Sequence, residues 1–453
     1  MIPVVTPEEM AAIDRAAPEP VEVLIGRAGA AVAHESISML GGTYGRRVVV
    51  VAGKGNNGAD GRAAAERLRR RGVRVVEVDA AAAPANLPPA DLVIDAAYGT
   101  GFRGEYHPPA PVPGTPVLAV DIPSGVDGLT GRAGGSPLRA DRTVTFAALK
   151  PGLLLADGAE LAGEVTVADI GLDVSSARTH VVEPADVARW LPTRPRETHK
   201  WRAAVWVIAG SPGMTGAAHL ATRAAQRAGA GYVRLSTPGL EDDPGKPVEA
   251  VSVSLPAEGW AGAVLDDLER FGGIAIGPGL GTGTETASEV RRLVHHAHVP
   301  IVVDGDGLTA LGRIAADVVS SREDGTVLTP HDGELARLGG DTDEPDRIGE
   351  TRRVASAIGA VVLRKGPTTV VAAPDGKVLL ATAGDARLAT AGTGDVLTGL
   401  LGALVAQGVA PLEAAGAAAH LHGRAGALAW RRGMVAGDLV DRLPEALSEL
   451  PED

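Results

Sequence analysis

The stretch Ala389-Thr390-Ala391-Gly392-Thr393-Gly394-Asp395-Val396-Leu397 is a turn of small residues that leads directly into an apolar, alanine-rich helical pattern ending near Gln407. Glycines permit a tight turn, so several backbone N–H groups and a helix N-terminus face one anion. Asp395 falls in the first helical turn, where its carboxylate either caps the helix or accepts a proton from a substrate hydroxyl. The stretch predicts a phosphate-binding turn and leaves both interpretations of Asp395 open.

Length and composition limit the classes of protein to consider. A chain of 453 residues predicts about two to three domains. The absence of cysteine excludes disulfides, thiolate zinc sites and cysteine nucleophiles. The net charge of −13 argues against nucleic acid or a membrane as a partner. The first nine residues lack the features of a signal peptide and predict a helix capped near Thr6, so a cytoplasmic protein is expected.

The first half begins with a unit of strand, glycine loop, helix and strand. A valine-rich strand over residues 46–52 precedes the loop Gly53-Lys54-Gly55-Asn56-Asn57-Gly58-Ala59-Asp60-Gly61, and a second strand is predicted over residues 73–78. The loop also satisfies G-x-G-x-x-G, the pattern of an NAD-dependent dehydrogenase, which is the alternative at this point. The paired asparagines offer more amide oxygens and donors than a plain pyrophosphate turn needs.

Polar side chains follow the next predicted strands at the same edge of the sheet. Asp95 ends one strand, and the stretch Asp121-Ile122-Pro123-Ser124 follows another. In a parallel sheet these ends converge on a ligand crevice. Asn57, Asp95 and Ser124 are oxygen ligands of low total charge, which suits a monovalent cation better than zinc. Lys150 follows the strand predicted over residues 142–147 and is expected either in the crevice or on the surface.

The motifs GKGNNGADG, VIDAAYGTGFRG, AVDIPSGVDG and TFAALKPGL resemble, in this order, the N-terminal epimerase domain of NAD(P)H-hydrate repair enzymes. The resemblance implies a Rossmann-like three-layer α/β domain over residues 1–185 and potassium held by Asn57, Asp95 and Ser124. It also implies Asp121 as the acid/base, with Lys150 as a further catalytic candidate. The implied contacts to hydrated NAD(P)H, written NAD(P)HX, are Asn56, Asn57, Gly58, Ala59, Asp60, Gly99, Thr100, Gly101, Phe102, Arg103, Gly104, Glu105 and Asp121. The family usually carries glycine at position 59.

Prolines and charges between residues 181 and 200 predict a domain boundary. The second half again alternates strands with glycine-bearing or carboxylate-bearing loops. His331 lies at the end of a predicted strand, where a functional role is favoured over a structural one.

The motifs GMTGAA, GPGLG, TPHDGE, RKGPTT and GTGDVLTG resemble ADP-dependent NAD(P)H-hydrate dehydratases, which have a ribokinase-like α/β fold. The resemblance implies a domain over residues 195–450. The implied contacts to the hydrate are Ala217, Gly279, His331 and Asp395. The implied contacts to the adenine nucleotide are Lys365, Gly366, Pro367, Thr368, Thr369 and Gly394. Arg387 and Ala391 depart from the family pattern just before the turn.

Together the two resemblances imply a fused enzyme that epimerises R and S NAD(P)HX and dehydrates the S form. Asp395 would activate the hydroxyl of the hydrated ring toward ADP, with magnesium bound to the nucleotide. The alternatives are a ribokinase-like small-molecule kinase with a nucleotide-binding N-terminal domain and a nucleotide-binding regulatory protein whose sites have decayed. The aliphatic composition favours a homo-oligomer.

Overall fold

The computed structural model describes residues 1–452 and divides the chain into two compact units. One unit is Ile2–Thr179, and the other comprises Met1 and the chain from His180 onward. The dividing point falls in a strand, one residue before the proline-rich and charged segment that predicts a boundary. The functional domain ranges 1–185 and 195–450 stay a prediction.

The first unit is built on a parallel sheet. The unit begins with the short strand β1 (Ile2–Val4), which is not part of this sheet, and the strands of the sheet are β2 (Arg47–Ala52), β3 (Arg74–Asp79), β4 (Leu92–Ala96), β5 (Val117–Val120), β6 (Arg142–Phe146) and β7 (Glu164–Ala168). The hydrogen-bonded order is β3-β2-β4-β5-β6-β7, and every pair in it is parallel. The valines of β2 are buried on both faces of the sheet, as a valine run in a central parallel strand predicts.

Two layers cover this sheet. The helices of the unit are α1 (Pro7–Ala16), α2 (Val21–Leu40), α3 (Asn56–Arg70) and α4 (Ala156–Leu161), with 3-10 turns at Ala80–Ala82 and Pro151–Leu153. Val48 and Val50 pack with α2 and α3, whereas Val49 and Val51 face the loop side chains around Tyr106. Thr6 caps α1 in a reciprocal pair with Glu9, which confirms the predicted helix start.

The second unit contains a larger mixed sheet. Its strands are β8 (Thr179–Val181), β9 (Ala204–Ile208), β10 (Tyr232–Ser236), β11 (Val251–Ser252), β12 (Gly273–Ile276), β13 (Ile301–Val303), β14 (Thr326–Leu328), β15 (Val361–Arg364), β16 (Thr369–Ala372) and β17 (Val378–Ala381). The order is β8-β17-β16-β15-β14-β13-β12-β9-β10-β11. Along this order, every neighbouring pair from β15 through β14, β13, β12, β9 and β10 to β11 is parallel. The pairs β15 with β16 and β16 with β17 are antiparallel.

Small residues allow the helices of this unit to pack closely. The helices are α5 (Pro184–Trp190), α6 (Gly216–Arg227), α7 (Trp260–Asp266), α8 (Thr284–His296), α9 (Asp306–Leu311), α10 (Ala315–Val319), α11 (Asp332–Arg337), α12 (Arg347–Ile358), α13 (Thr393–Ala406), α14 (Pro411–Leu428) and α15 (Ala436–Ser448), with 3-10 turns at Lys200–Ala203, Gly312–Ile314 and Ala386–Leu388. A Cβ on Gly399 would fall 1.9 Å from the carbonyl oxygen of Ala221, so α13 and α6 meet backbone to backbone. None of the helices within residues 1–452 has both the length and the apolar character that crossing a membrane requires.

Candidate active sites

Loops at the carboxyl ends of adjacent strands border a cavity of about 540 Å³ in the first unit. Because β2, β4 and β5 are neighbours in a parallel sheet, the loops that follow them converge there. The sequence-predicted residues in its lining are Asn56, Asn57, Asp60, Gly99, Thr100, Gly101, Phe102, Asp121 and Lys150. The predicted positions of the first unit outside the described lining are Gly58, Ala59, Asp95, Arg103, Gly104, Glu105 and Ser124.

The asparagine loop forms the first turn of α3. A Cβ on Gly58 would lie 1.9 Å from the carbonyl oxygen of Gly53, so only glycine fits this close approach. Ala59 is within the helix and is not among the non-glycine residues with positive φ. A methyl group at position 59 therefore requires no left-handed backbone, although relatives of the resembled family usually have glycine there.

Lys150 and Asp121 form an ion pair at the edge of this cavity. The Lys150 ammonium lies 2.7 Å from Oδ1 of Asp121, and only 1% of the lysine side chain is exposed. The ammonium also donates to Oγ1 of Thr145 at 2.8 Å and to the carbonyl oxygen of Phe146 at 2.9 Å. The surface alternative for Lys150 is therefore wrong. Asp121 has φ of 66°, an uncommon conformation for a residue with a side chain and one that is frequent at functional sites.

Two further carboxyl groups line the same cavity. Burial is the main reason that the pKa of Asp60 rises to about 8, and the negative charges of Asp121 and Asp14 add to this effect. Burial also raises the pKa of Asp14, which comes from α1. One buried ammonium, that of Lys150, thus faces three carboxyl groups. Asp14 is absent from the sequence-predicted site because it precedes all of the glycine motifs.

The three residues predicted to hold a cation lie at the ends of neighbouring elements. Ser124 donates its hydroxyl to Oδ1 of Asp95 at 2.6 Å, and its backbone N–H donates to Oδ2 at 2.9 Å. Asp95 is 2% exposed, and burial raises its pKa. Among the described residues, 1–452, neither side-chain polar atom of the buried Asn57 has a hydrogen-bond partner. An unpartnered buried amide near a buried carboxylate fits a cation held by oxygen ligands.

The predicted phosphate turn in the second unit, residues 392–395, is named the anion turn here. Gly392 has φ of 91° and directly precedes α13, so the free N–H groups of the helix begin at the turn. The hydroxyl of Thr393 donates to the carbonyl oxygens of Leu388 and Thr390, at 2.7 and 2.8 Å. Nε2 of the buried His422 lies 2.8 Å from the carbonyl oxygen of Thr393, so the turn is held from several sides.

Asp395 is half-buried and projects from the first turn of α13. Within residues 1–452 the Asp395 carboxylate accepts no hydrogen bond from the first turn of α13, and the helix has no capping box, so the capping interpretation of Asp395 is wrong. Burial and the negative charge of Asp304 raise the pKa of Asp395 to about 6, and the positive charge of Lys365 opposes them. A carboxylate with a pKa near neutrality is suited to accept a proton from a substrate hydroxyl.

Lys365 lies against the anion turn and pairs with a buried carboxylate. A Cβ on Gly394 would lie 3.4 Å from the Lys365 ammonium. The ammonium donates to Oδ1 of Asp304 at 2.6 Å, and the hydroxyl of Thr398 donates to Oδ2 at 2.6 Å. Asp304 is not among the sequence-predicted site residues. Its position at a strand end, like that of Asp95, was the available signal.

Arg347 contacts the loop of residues 365–369, which is the predicted nucleotide loop. Arg347 donates to the carbonyl oxygen of Lys365 at 2.6 Å and to the carboxylate of Asp332 at 3.0 Å. A Cβ on Gly366 would lie 2.5 Å from the same guanidinium. Thr368 is buried, whereas Gly366 and Pro367 are exposed. Thr369 begins β16.

The predicted hydrate contacts Ala217 and Gly279 are neighbours in space. A Cβ on Gly279, whose φ is 68°, would lie 3.4 Å from the Cβ of Ala217. His331 caps α11 by accepting from the backbone N–H of Glu334 at 3.3 Å, and its side chain is 58% exposed. The structure thus gives His331 a structural role and leaves most of its ring accessible.

Arg387, one of the departures before the turn, is already engaged. Its guanidinium pairs with Asp385 at 2.5 Å and donates to the carbonyl oxygen of Ala429 at 3.1 Å. These contacts fix the 3-10 turn Ala386–Leu388 that leads to the anion turn.

Both halves of the chain match models of known families. Residues 205–449 match the family described as NAD(P)H-hydrate dehydratase. Residues 21–87 and 76–152 match the YjeF-related protein N-terminus.

Curated relatives cover almost the whole chain. The bifunctional NAD(P)H-hydrate repair enzyme Nnr of Moorella thermoacetica is 39% identical over 518 aligned positions, covering 99% of this chain and 97% of the relative. The enzyme of the same name from Mycobacterium tuberculosis is 39% identical, covering 85% of this chain and 84% of the relative.

Solved structures resemble the second unit. An ADP/ATP-dependent NAD(P)H-hydrate dehydratase from Bacillus subtilis, co-crystallised with ATP and Mg²⁺, gives a TM-score of 0.51 at 31% identity over 59% of this chain and 98% of that chain. A ribokinase-like superfamily protein from Enterococcus faecalis gives a TM-score of 0.54 at 22% identity, over 61% and 97% respectively, and shows the fold alone.

Two α/β units, each with a lysine–aspartate pair at the carboxyl ends of its parallel strands, define an enzyme with two separate sites. The chain belongs to the family of bifunctional NAD(P)H-hydrate repair enzymes. The predicted fold class, a Rossmann-like α/β domain followed by a ribokinase-like one, is confirmed, as is the predicted fusion of epimerase and dehydratase.

Proposed function

We propose that the first unit interconverts the R and S forms of NAD(P)HX, and that the second dehydrates the S form while ADP becomes AMP and phosphate. The observation that carries the dehydratase assignment is the arrangement at the anion turn. Asp395 stands there without a hydrogen-bonded partner among residues 1–452, beside an ammonium that a different carboxylate holds. A free base next to a phosphate-binding turn is what phosphoryl transfer to a hydroxyl needs.

In the proposed dehydration, Asp395 takes the proton of the ring hydroxyl as the hydroxyl oxygen attacks the terminal phosphorus of ADP. The bond to AMP breaks, and the ring then loses phosphate, a better leaving group than hydroxide, while the departing phosphate takes up the ring proton that is lost with it. The backbone N–H groups of Gly392 and Gly394 and the Lys365 ammonium would face the charge on the transferring phosphoryl group, whereas the N–H of Thr393 donates to the carbonyl oxygen of Thr390 at 3.3 Å. Ala217 and Gly279 shape the side that receives the hydrated ring.

Magnesium fits this site as a partner of the nucleotide rather than of a protein cage. Residues 1–452 hold no group of three or more His, Cys, Asp or Glu side chains arranged to bind a metal ion. The B. subtilis structure was obtained with ATP and Mg²⁺. We therefore assign magnesium to the phosphates of ADP, where it would neutralise charge on the phosphoryl oxygens.

In the proposed epimerisation, the ion pair of Asp121 with Lys150 and the raised-pKa carboxyl of Asp60 surround the hydrated ring. Inverting the carbon that carries the hydroxyl requires a bond at that carbon to break and form again on the other face. Asp121 is placed to take the hydroxyl proton as the ring C–N bond at that carbon breaks and a carbonyl group forms, with the bonding electrons left on the ring nitrogen. When that nitrogen attacks the other face of the carbonyl group, the proton returns to the oxygen, and the Lys150 ammonium holds the Asp121 carboxyl group in place throughout. The 56–60 and 99–105 loops would hold the nucleotide.

We assign potassium to Asn57, Asp95 and Ser124. The unpartnered Asn57 amide and the buried Asp95 carboxylate support this choice. The ion would supply positive charge near the substrate. Thermal unfolding in potassium chloride and in choline chloride tests the potassium assignment. Potassium should raise the unfolding midpoint of the native protein and should not change the unfolding midpoint of Asp95→Asn. Equal midpoints for the native protein in both salts would refute the assignment.

We further propose a cytoplasmic homo-oligomer that uses NAD(P)HX and ADP and neither nucleic acid nor membranes as partners. Large exposed apolar side chains support an interface between copies, among them Val248 at 94% and Trp430 at 63% exposure. Sedimentation that shows only a monomer would end the proposal of an oligomer.

To test the proposed function, the native protein is added to a mixture of R and S NAD(P)HX, and the absorbance of reduced nicotinamide is followed. With ADP we expect complete recovery, with AMP and phosphate formed in equal amounts to the recovered cofactor. Recovery limited to the S fraction would refute the epimerase activity. No recovery with ADP would refute the dehydratase activity.

A further inference from the structure

One buried carboxylate links two elements of the second site. Asp304 directly follows β13 and is 3% exposed. Each of its oxygens accepts one strong hydrogen bond, from the Lys365 ammonium and from the Thr398 hydroxyl, both at 2.6 Å. A buried carboxylate whose two oxygens are both used in charge-assisted or short bonds holds its partners in fixed places.

The partners of Asp304 come from separate parts of the sequence. Lys365 follows β15, and Thr398 lies in α13, where its hydroxyl is also 3.1 Å from the carbonyl oxygen of Gly394. Gly394 is the residue whose added Cβ would approach the Lys365 ammonium to 3.4 Å. Asp304 thus ties the nucleotide loop to the helix that carries the anion turn.

We propose that Asp304 is a positioning residue for the dehydratase reaction, holding the Lys365 ammonium beside the anion turn so that it meets the terminal phosphate of ADP. This inference rests on the proposed function of the second site. Without Asp304, the lysine side chain would sample several rotamers, and ordering it would reduce the affinity for ADP. The partly exposed lysine, at 22% of its side chain, has room to move.

Asp304 has a second effect, on the protonation of the base. Burial is the largest cause of the raised pKa of Asp395, and the negative charge of Asp304 raises it further, whereas the positive charge of Lys365 lowers it. Two other titratable groups lie near Asp304, Lys365 and Asp395. Burial raises the pKa of Glu334, and burial lowers the pKa of His422 to about 4. His331 caps the helix that carries Glu334. Removing the charge of Asp304 therefore lowers the pKa of Asp395.

The first test measures ADP binding by calorimetry to the native chain and to Asp304→Asn, which keeps the size of the side chain. We expect the dissociation constant to rise at least about tenfold, the scale of losing one ordered charged contact. Thr398→Val should weaken ADP binding less, because Lys365 keeps its partner. Asp186→Asn is the matched control, since Asp186 is a fully buried carboxylate that pairs with Arg189. This variant should bind ADP as the native chain does.

The second test follows dehydration of S hydrate against pH. The native rate should fall as the pH drops through about 6, where Asp395 takes up a proton. In Asp304→Asn this limb should move to lower pH, whereas a merely structural defect would lower the rate at every pH and leave the limb in place.

The outcomes separate this inference from the proposed function. If the native chain binds ADP but dehydrates nothing, the proposed function fails, and the binding measurement still decides the role of Asp304. If Asp304→Asn is folded by circular dichroism, binds ADP like the native chain and keeps the acid limb, the positioning role is refuted.

Discussion

The two units contain similar pairs of lysine and aspartate, but they use the pair in opposite ways. In the first unit, Lys150 pairs with Asp121, the predicted acid/base itself. In the second, Lys365 pairs with Asp304 and leaves Asp395, the predicted base, without a hydrogen-bonded partner in residues 1–452. A parallel sheet thus brings a lysine and carboxylates together in both cases, and the pairing decides which carboxylate is free to accept a proton.

This difference matches the two proposed reactions. Epimerisation needs a proton to leave and return, and a carboxyl group held by a buried ammonium can exchange it without a co-substrate. Phosphoryl transfer needs a free base and, separately, a positive charge for the phosphate. Keeping Lys365 on a different carboxylate serves both needs.

The largest expected effect comes from removing the free base. Asp395→Asn should slow dehydration of S hydrate by about 10²–10⁴-fold, the usual contribution of general base catalysis. Because Asp395 is half-buried with a raised pKa, its loss should not lower the free energy of unfolding. Single-turnover kinetics and urea unfolding of the same preparation measure both. A large loss of stability would show that Asp395 is paired after all.

Removing the lysine of the paired site should act mainly on stability. Lys150→Met leaves Asp121 as an unpaired carboxylate in a buried place, which costs about 3 kcal/mol of unfolding free energy. Epimerisation should be lost as well. Lys377→Met serves as the control, since that lysine is exposed and pairs with Asp375 on the surface. Urea unfolding that shows the same stability for both variants would contradict the buried pair.

A smaller effect is expected from the carboxyl group beside that pair. The pKa of Asp60 is about 8 in the folded chain, above its value of 3.8 in an unfolded one. The folded state therefore binds more protons between these values, so stability falls as the pH rises from 3.8 to about 8 and levels off above that. Asp60→Asn should flatten this dependence and stabilise the protein above pH 8. Unfolding midpoints that depend on pH identically in both proteins would count against the raised pKa.

The smallest expected effect concerns Ala59. Since this residue has a regular helical backbone, Ala59→Gly should cost about 0.5–1 kcal/mol of stability. It should not increase the epimerase rate. A clear gain in rate would show that the methyl group obstructs the substrate in a way that the backbone geometry does not reveal.

Much of the fold could be predicted because its signals are local. The valine run of β2 and the alanine-rich stretch of α13 each specify one element, and the glycine loops mark where the strands end. The predicted residues of the first cavity follow from one rule, that carboxyl ends of adjacent parallel strands converge.

The parts that sequence did not predict depend on contacts between distant residues. Whether Lys150 is buried depends on Asp121 and Thr145, and whether Asp395 caps or stays free depends on the surroundings of α13. Asp304 was visible as a carboxylate at a strand end, but its partners, Lys365 and Thr398, lie 61 and 94 positions away. Such pairs carry no periodic signal in a single sequence.

The most direct measurement is a complementation experiment on the mixed R and S hydrate pool with ADP. Asp121→Asn alone should recover only the S fraction, because this variant lacks the acid/base that converts the R form. Spontaneous epimerisation is measured without enzyme and subtracted. Asp395→Asn alone should recover almost nothing. A mixture of the two variants should recover the whole pool, since each supplies the site that the other lacks. If the mixture recovers no more than Asp121→Asn alone, or if Asp395→Asn alone restores the cofactor, the division of the two reactions between these two aspartates is contradicted.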